Sequence, residues 1–182
     1  MAQVIRAPER PRGIYYHVAF IAGPIQGAAD WQSSAIKHLE HLPDTVLIAC
    51  PRRINVPKGD FDDTMYLEQV AWEHEYLERA MRNGVVMFWL AKEEKHDCSR
   101  AYAQTSRFEL GEACVLSSVL NGEGAIERGN LVVGIESGFP NERYLRHTLT
   151  EKRYCNHIFK DLEQTCLDAA VLLSNMNRMR KA

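Results

Sequence analysis

Four short, mainly apolar runs punctuate the chain: Tyr16-His17-Val18-Ala19-Phe20-Ile21-Ala22, Val46-Leu47-Ile48-Ala49-Cys50, Val85-Val86-Met87-Phe88-Trp89-Leu90 and Leu131-Val132-Val133-Gly134-Ile135. They are too short for helices and do not alternate with polar residues, so they read as strands buried on both faces. Between them the period changes. Gly23-Pro24-Ile25-Gln26-Gly27 reads as a tight loop leading to a helix capped at Asp30 and running from Trp31 to His41, ahead of Pro43. Pro51 to Asp62 is a polar loop with Arg52, Arg53 and Lys58. A long amphipathic helix then spans Asp63 to Arg82, with Tyr66, Val70, Leu77 and Met81 on one face and Asn83-Gly84 as its stop. Ala91 to Thr105 is a second polar loop, Ser106 to Leu120 a helix, and Tyr154 to Met179 is helical by pattern. Strands alternating with helices predict an α/β fold, an open, mostly parallel sheet of flavodoxin- or Rossmann-like type with helices on both faces. Residues 1 to 14, broken by Pro8 and Pro11 and charged at Arg6, Glu9, Arg10 and Arg12, are expected to be a mobile arm, and residues 15 to 182 a single domain.

Composition narrows the partners. With 182 residues, 46% hydrophobic and 25% charged, the chain has the size of one globular unit. A net charge of -2 and a pI of about 6.4 supply no broad positive potential, so a nucleic acid polymer is not expected as a partner. No apolar stretch approaches the roughly 18 residues needed to span a bilayer. The charged N-terminus also lacks the apolar segment of a secretory signal, which makes the cytoplasm the expected location. The five cysteines include no Cys-x-x-Cys pair and are expected as reduced thiols. His96-x-Cys98 and Cys155-x-His157 match no recurrent zinc spacing, so no metal site is expected. Gly23-Pro24-Ile25-Gln26-Gly27 is neither a dinucleotide fingerprint nor a Walker A loop, and no cofactor is expected.

The candidate chemistry lies at Ser106-Arg107-Phe108-Glu109-Leu110-Gly111-Glu112-Ala113, which opens a helix after the most apolar strand. A carboxylate there stands at the strand-end rim where open α/β sheets hold ligands. Ser106-x-x-Glu109 also fits a capping box, a purely structural device. Two loops, the one from Ala22 to Gln26 and the one leading into Ser106, stand at the carboxyl ends of neighbouring strands and converge on one crevice.

At these positions the chain resembles the nucleoside 2-deoxyribosyltransferase superfamily. The residues that carry the resemblance are Phe20-Ile21-Ala22-Gly23-Pro24, Trp72-Glu73-His74-Glu75 through Gly84, Val85 to Leu90, and Phe108-Glu109-Leu110-Gly111, in that order over roughly residues 16 to 135. The resemblance implies that Glu109 is the nucleophile that takes the sugar when an N-glycosidic bond is cleaved. It implies too that Gly23, Pro24 and Gln26 line the pocket from the other side, and that a small-molecule nucleoside or nucleotide is the ligand. A carboxylate suits that chemistry because it first stabilises an oxocarbenium-like charge and then captures it. Glu109 must be ionised to do so, which a helix N-terminus favours. Gly111 lets the sugar or a neighbouring backbone come close.

Further site residues follow with their structural alternatives. Trp89 stacks on a base or fills the core. Arg107 meets a phosphate at the helix N-terminus beside Ser106, or is a surface arginine. Family members carry a tyrosine near the end of the first strand and aspartates that bind and protonate the base, and this chain has neither at the matching places. The base-side acid must then come from elsewhere or be missing; Asp97, Glu93 and Glu94 in the same loop and Asp62, Asp63 and Glu73 on the facing segments are the candidates, and Asp97 is placed among the substrate-binding residues. Family sites are completed by a neighbouring subunit, so a homo-oligomer is expected, with Gly138 to Tyr144, and Asn141 within it, reaching the next chain. The function implied is cleavage or transfer of the N-glycosidic bond of a nucleoside or its 5′-monophosphate, to water or to a second base. Pro24 and Gln26, standing where nucleotide hydrolases bear serine and arginine, favour free nucleosides. A binding or sensing module of the same fold and a NAD-cleaving relative are the alternatives.

Overall fold

The computed structural model describes residues 1–55, 62–121, 130–155 and 157–181; Lys58 lies outside them. Six strands, β1 (Gln3–Arg6), β2 (His17–Ala22), β3 (Val46–Cys50), β4 (Gly84–Leu90), β5 (Leu131–Ile135) and β6 (Ile158–Phe159), form one sheet in the order β1-β3-β2-β4-β5-β6. Every pairing is parallel, as successive crossovers through helices require. The helices are α1 (Trp31–Leu39), α2 (Asp63–Asn83), α3 (Gln104–Asn121), α4 (Glu142–Glu151) and α5 (Leu162–Lys181). This is the α/β, flavodoxin-like open sheet that the alternation of patterns predicts.

Successive side chains of a strand point to opposite faces, and β4 shows why its run is wholly apolar. Val86, Phe88 and Leu90 join Trp72, Tyr76, Leu110 and Ala113 in the layer under α2 and α3. Val85, Met87 and Trp89 join Trp31, Leu39, Ala169 and Leu173 under α1 and α5. The cap expected at Asp30 forms, accepting from Ser33 N at 3.2 Å, and Asp62, read only as the end of the loop before α2, caps that helix by accepting from Met65 N at 2.8 Å.

The structure departs from the sequence reading in four places. Residues 1 to 14 are not all a mobile arm: Gln3–Arg6 pair with β3, and Ile5 is buried. A two-residue apolar core, Val4-Ile5, is too short to stand out from its charged surroundings. The same segment continues across α2, where Trp72 Nε1 donates to the Glu9 carbonyl at 2.8 Å. On α2 the inward face is Trp72, Tyr76, Leu77, Ala80 and Met81, while Tyr66 is exposed. Glu142–Glu151 is a helix, and the segment from Tyr154 reaches β6 before α5 begins at Leu162.

The order of strands places the crevice. From β2 the chain crosses to β3 on one side, and from β3 it crosses back to β4 on the other, so the connections diverge between β2 and β4. The carboxyl ends of these two strands, Ala22 and Leu90, frame the position where such sheets hold ligands.

Candidate functional site

The loop after β2 is held from three directions. Gly23 is extended into the positive-φ region, at 145°, and a methyl group on it would run into the Trp89 carbonyl and lie 2.9 Å from the Trp31 ring. Only glycine fits there. The Pro24 carbonyl accepts from Trp31 Nε1 at 2.8 Å and from the fully buried Gln32 at 3.4 Å. Arg52, just past β3, donates to Gln32 Oε1 at 2.9 Å and to the carbonyls of Ile25 and Ala29, each at 3.2 Å, clamping both ends of the loop. The Gly27 carbonyl accepts from Glu94 N at 2.8 Å and Lys95 N at 3.1 Å, so the loops after β2 and β4 do converge. Gln26 is exposed, and its amide oxygen accepts from Arg100.

The carboxyls come from α2 and α3. Gln69 Nε2 donates to the Pro51 carbonyl at 2.9 Å, immediately beyond the last residue of β3, and to Glu73 Oε1 at 2.8 Å. Gln69 is thereby level with the end of β3, and Glu73 follows one turn further along α2. Glu109 is carried by the second turn of α3, near enough for the Glu73 charge to act on it. The Glu109 carboxyl is pushed up to about 8 by burial first, then by the charges of Glu73 and Glu112. Burial also raises Glu73, opposed by its hydrogen bond from Gln69 and by the nearby positive groups His74 and Arg53. Two like carboxyls with restricted solvent oppose each other's ionisation.

This overturns two expectations about Glu109. α3 begins at Gln104, with Arg107 N bonded to the Ala103 carbonyl at 3.1 Å, so Ser106 lies inside the helix and is no N-cap. Glu109 is correspondingly beyond the first turn, where the favourable helix field has fallen off. Burial and Glu73 decide its protonation instead, in favour of the neutral form.

The remaining candidates are scattered by the fold. Trp89 is buried under α1 and α5, on the opposite side of the sheet from Glu109; its ring lies over Gly134, where an added methyl would approach it to 2.6 Å. Asp97 is exposed and accepts from Ser99 N at 2.9 Å and Ser99 Oγ at 2.7 Å. Those bonds, with Arg100 at 3.3 Å, hold its carboxyl below the ordinary range, the reverse of what a proton donor needs. Arg107, two residues before Glu109, points away from it as helix geometry requires. It donates to the Pro140 carbonyl at 3.1 Å and lies over the Phe139 ring, 5.1 Å from its centroid. In the segment expected to reach a neighbour, Phe139 is buried and Asn141 caps α4 in the left-handed region. Among the described residues, no three His, Cys, Asp or Glu side chains group so as to hold a metal ion.

Sequence reasoning missed Gln69, Arg52, Arg53 and Gln32, and named Glu73 only within a set of six. A usable signal existed. Gln69 and Glu73 are four residues apart and prolong the buried stripe of α2 toward its N-terminus, where polar groups on an inward face are unusual. Tyr102 was also missed; its hydroxyl donates to the Ala91 carbonyl at 2.7 Å and pins the loop after β4.

The fold defines the class: a flavodoxin-like α/β protein with a parallel open sheet, whose connections diverge between β2 and β4. Residues 16–120 match the family described as nucleoside 2-deoxyribosyltransferase like, and the chain belongs to that family. The curated proteins include no match. Among solved structures, a conserved protein from Enterococcus faecalis V583 is similar over 85% of this chain and 97% of its own, at 13% identity and a TM-score of 0.45. No described helix is long and apolar enough to cross a membrane.

Proposed function

We propose that this protein cleaves the N-glycosidic bond of a nucleoside or nucleoside 5′-monophosphate, with Glu109 as nucleophile and Glu73 as its proton-holding partner. The observation that carries the reading is the half-buried Glu109 opposite Glu73, at the ligand rim of a chain of this family. In the free protein the pair holds a proton. When a nucleoside binds, the proton of the pair resides on Glu73 and Glu109 is the carboxylate. Glu73 gives the proton to the leaving base as the C1′–N bond breaks and its electron pair goes to the base, and the Glu109 carboxylate bonds to C1′. In the second half, water or another base attacks C1′, Glu73 takes the proton that the attacking group loses, and the ester bond to Glu109 breaks to return its carboxylate. Of the six acid candidates Glu73 is preferred to Asp97, because an acid must hold its proton at neutral pH before it can deliver it and the Asp97 carboxyl is held below the ordinary range.

The loop Gly23 to Gln26, fixed by Arg52 and Gln32, forms the opposite wall. The reading includes a homo-oligomer: Phe108, Val115 and Val119 form an exposed apolar row on α3, and Gly111 between them has open space where a side chain would be.

A panel of nucleosides, 5′-monophosphates and NAD, resolved by chromatography for free base, tests the activity. Trapping with a 2-fluoro-substituted nucleoside tests the route, and a sugar adduct on the peptide containing Glu109 is the expected result. Ligand binding without any base released would instead identify a sensing module.

A further inference from the structure

Gln69 stands between a rim arginine and the carboxyl pair, and its contacts leave its amide no choice of orientation. Arg53 Nε donates to Gln69 Oε1 at 2.8 Å, while Gln69 Nε2 donates to Glu73 Oε1 at 2.8 Å and to the Pro51 carbonyl at 2.9 Å. A guanidinium has no acceptor and a carbonyl has no donor. The amide oxygen must therefore face Arg53, and the NH2 group must face Glu73 and Pro51. Arg53 is itself fixed by a second bond, Nη2 to Glu68 Oε2 at 2.9 Å. Glu73 Oε1 is thus held as an acceptor, and because a carbonyl oxygen accepts better than a hydroxyl oxygen, a proton that Glu73 carries is favoured on Oε2.

We propose that Gln69, locked by Arg53 and the Pro51 carbonyl, is a positioning residue that confines the proton of the carboxyl pair to Glu73 Oε2 and Glu109. The proposal rests on the reading of Glu73 and Glu109 as the reacting pair. It assigns a function to the two polar residues on the inward face of α2 and to the arginine behind them. A carboxyl free to rotate would divide its proton between two oxygens, only one of which is free of the tie to Gln69. Gln69 removes that division.

The groups facing the pair set the sign of the test. Arg53 from the loop after β3, with His74 and Gln69 on α2, favours the ionised form of Glu73; Glu73 and Glu112 disfavour ionisation of Glu109. Loss of the Gln69 donor makes Glu73 keep its proton to higher pH. A Glu73 that is more often neutral opposes Glu109 less, so Glu109 releases its proton at lower pH. The two midpoints move in opposite directions, whereas a loss of packing that merely admitted water would lower both.

The experiment is a carboxyl 13C NMR titration of ligand-free protein labelled at Glu Cδ, assigned with Glu73→Gln and Glu109→Gln, on the natural sequence, Gln69→Met and Arg53→Met. The expected result in Gln69→Met is a Glu73 midpoint raised, and a Glu109 midpoint lowered, by about half a unit or more. Arg53→Met, which lets the amide turn, should likewise raise the Glu73 midpoint and lower that of Glu109, by less, and it carries the test if Gln69→Met does not fold. Midpoints that stay in place, or that shift in the same direction, in a folded variant overturn the proposal. Because no substrate is present, the outcome is independent of activity. Opposed shifts without base release from any substrate would uphold Gln69 and refute the function; base release with unmoved midpoints would do the reverse.

Discussion

Glu109→Gln should stabilise the protein at alkaline pH while abolishing base release. A folded-state value of about 8 against an ordinary 4.5 means that the folded chain holds a proton the unfolded chain has lost. Below the unfolded value both states are protonated and the residue costs nothing. As pH rises from there to the folded value, stability falls by about 1.4 kcal/mol per unit, and above it the loss is complete. The full shift corresponds to about 5 kcal/mol, an upper bound because the half-buried carboxyl gains water as it ionises and divides its penalty with Glu73. An observable change of about 2 to 3 kcal/mol is expected. Glutamine has nearly the same shape and no charge to bury, so the variant escapes this loss. The assay is urea unfolding followed by circular dichroism at about pH 4, 6 and 8.5, with equal denaturant slopes required of the two proteins. The variant should match the natural protein at the acid end and exceed it at the alkaline end. A difference that does not change with pH, or a variant weaker at the alkaline end, would refute the argument that burial and Glu73 keep Glu109 protonated.

Glu73→Gln should lower the Glu109 midpoint toward the ordinary carboxylate range, since it removes a like charge, and should reduce base release at neutral pH; unchanged release would exclude Glu73 as proton source. Gly23→Ala combines a backbone angle of 145° with a collision at the Trp89 carbonyl, and a loss of about 2 kcal/mol or more in thermal or urea unfolding is expected. Arg52→Met should leave the fold in place but free the loop from Ile25 to Ala29, lowering kcat/KM about tenfold or more through a raised KM; a purely structural arginine would show up in stability and not in KM. Light scattering at micromolar concentration should give a mass above one chain, and Val119→Asp on the outer face of α3 should reduce it; a fully active monomer would refute the oligomer.

The amino-acid sequence by itself determines the layered α/β fold. Its information on this point is local: β4 is apolar at every position because both faces of a central parallel strand are covered, and the cap Asp30 marks a helix start within its own few residues. The Glu-x-Gly motif and its order after the first loop are what put Glu109 forward as the candidate. Short elements escaped because a strand such as β1 or β6 owes its existence to a neighbour already in place and has too few residues to show a period. The protonation of Glu109 was decided only in three dimensions. Along the chain it belongs to a helix entrance that favours the anion; in the fold it is buried opposite a carboxyl 36 residues earlier in the chain, and that unfavourable field outweighs the helix. The same holds for Trp89 and Arg107, whose neighbours in sequence suggest the rim. The pleat of β4 turns the first to the far layer, and the turn of α3 points the second toward Phe139. Which side chains share a site depends on where strands and helices direct them, and in this chain that direction follows from packing between segments far apart in sequence.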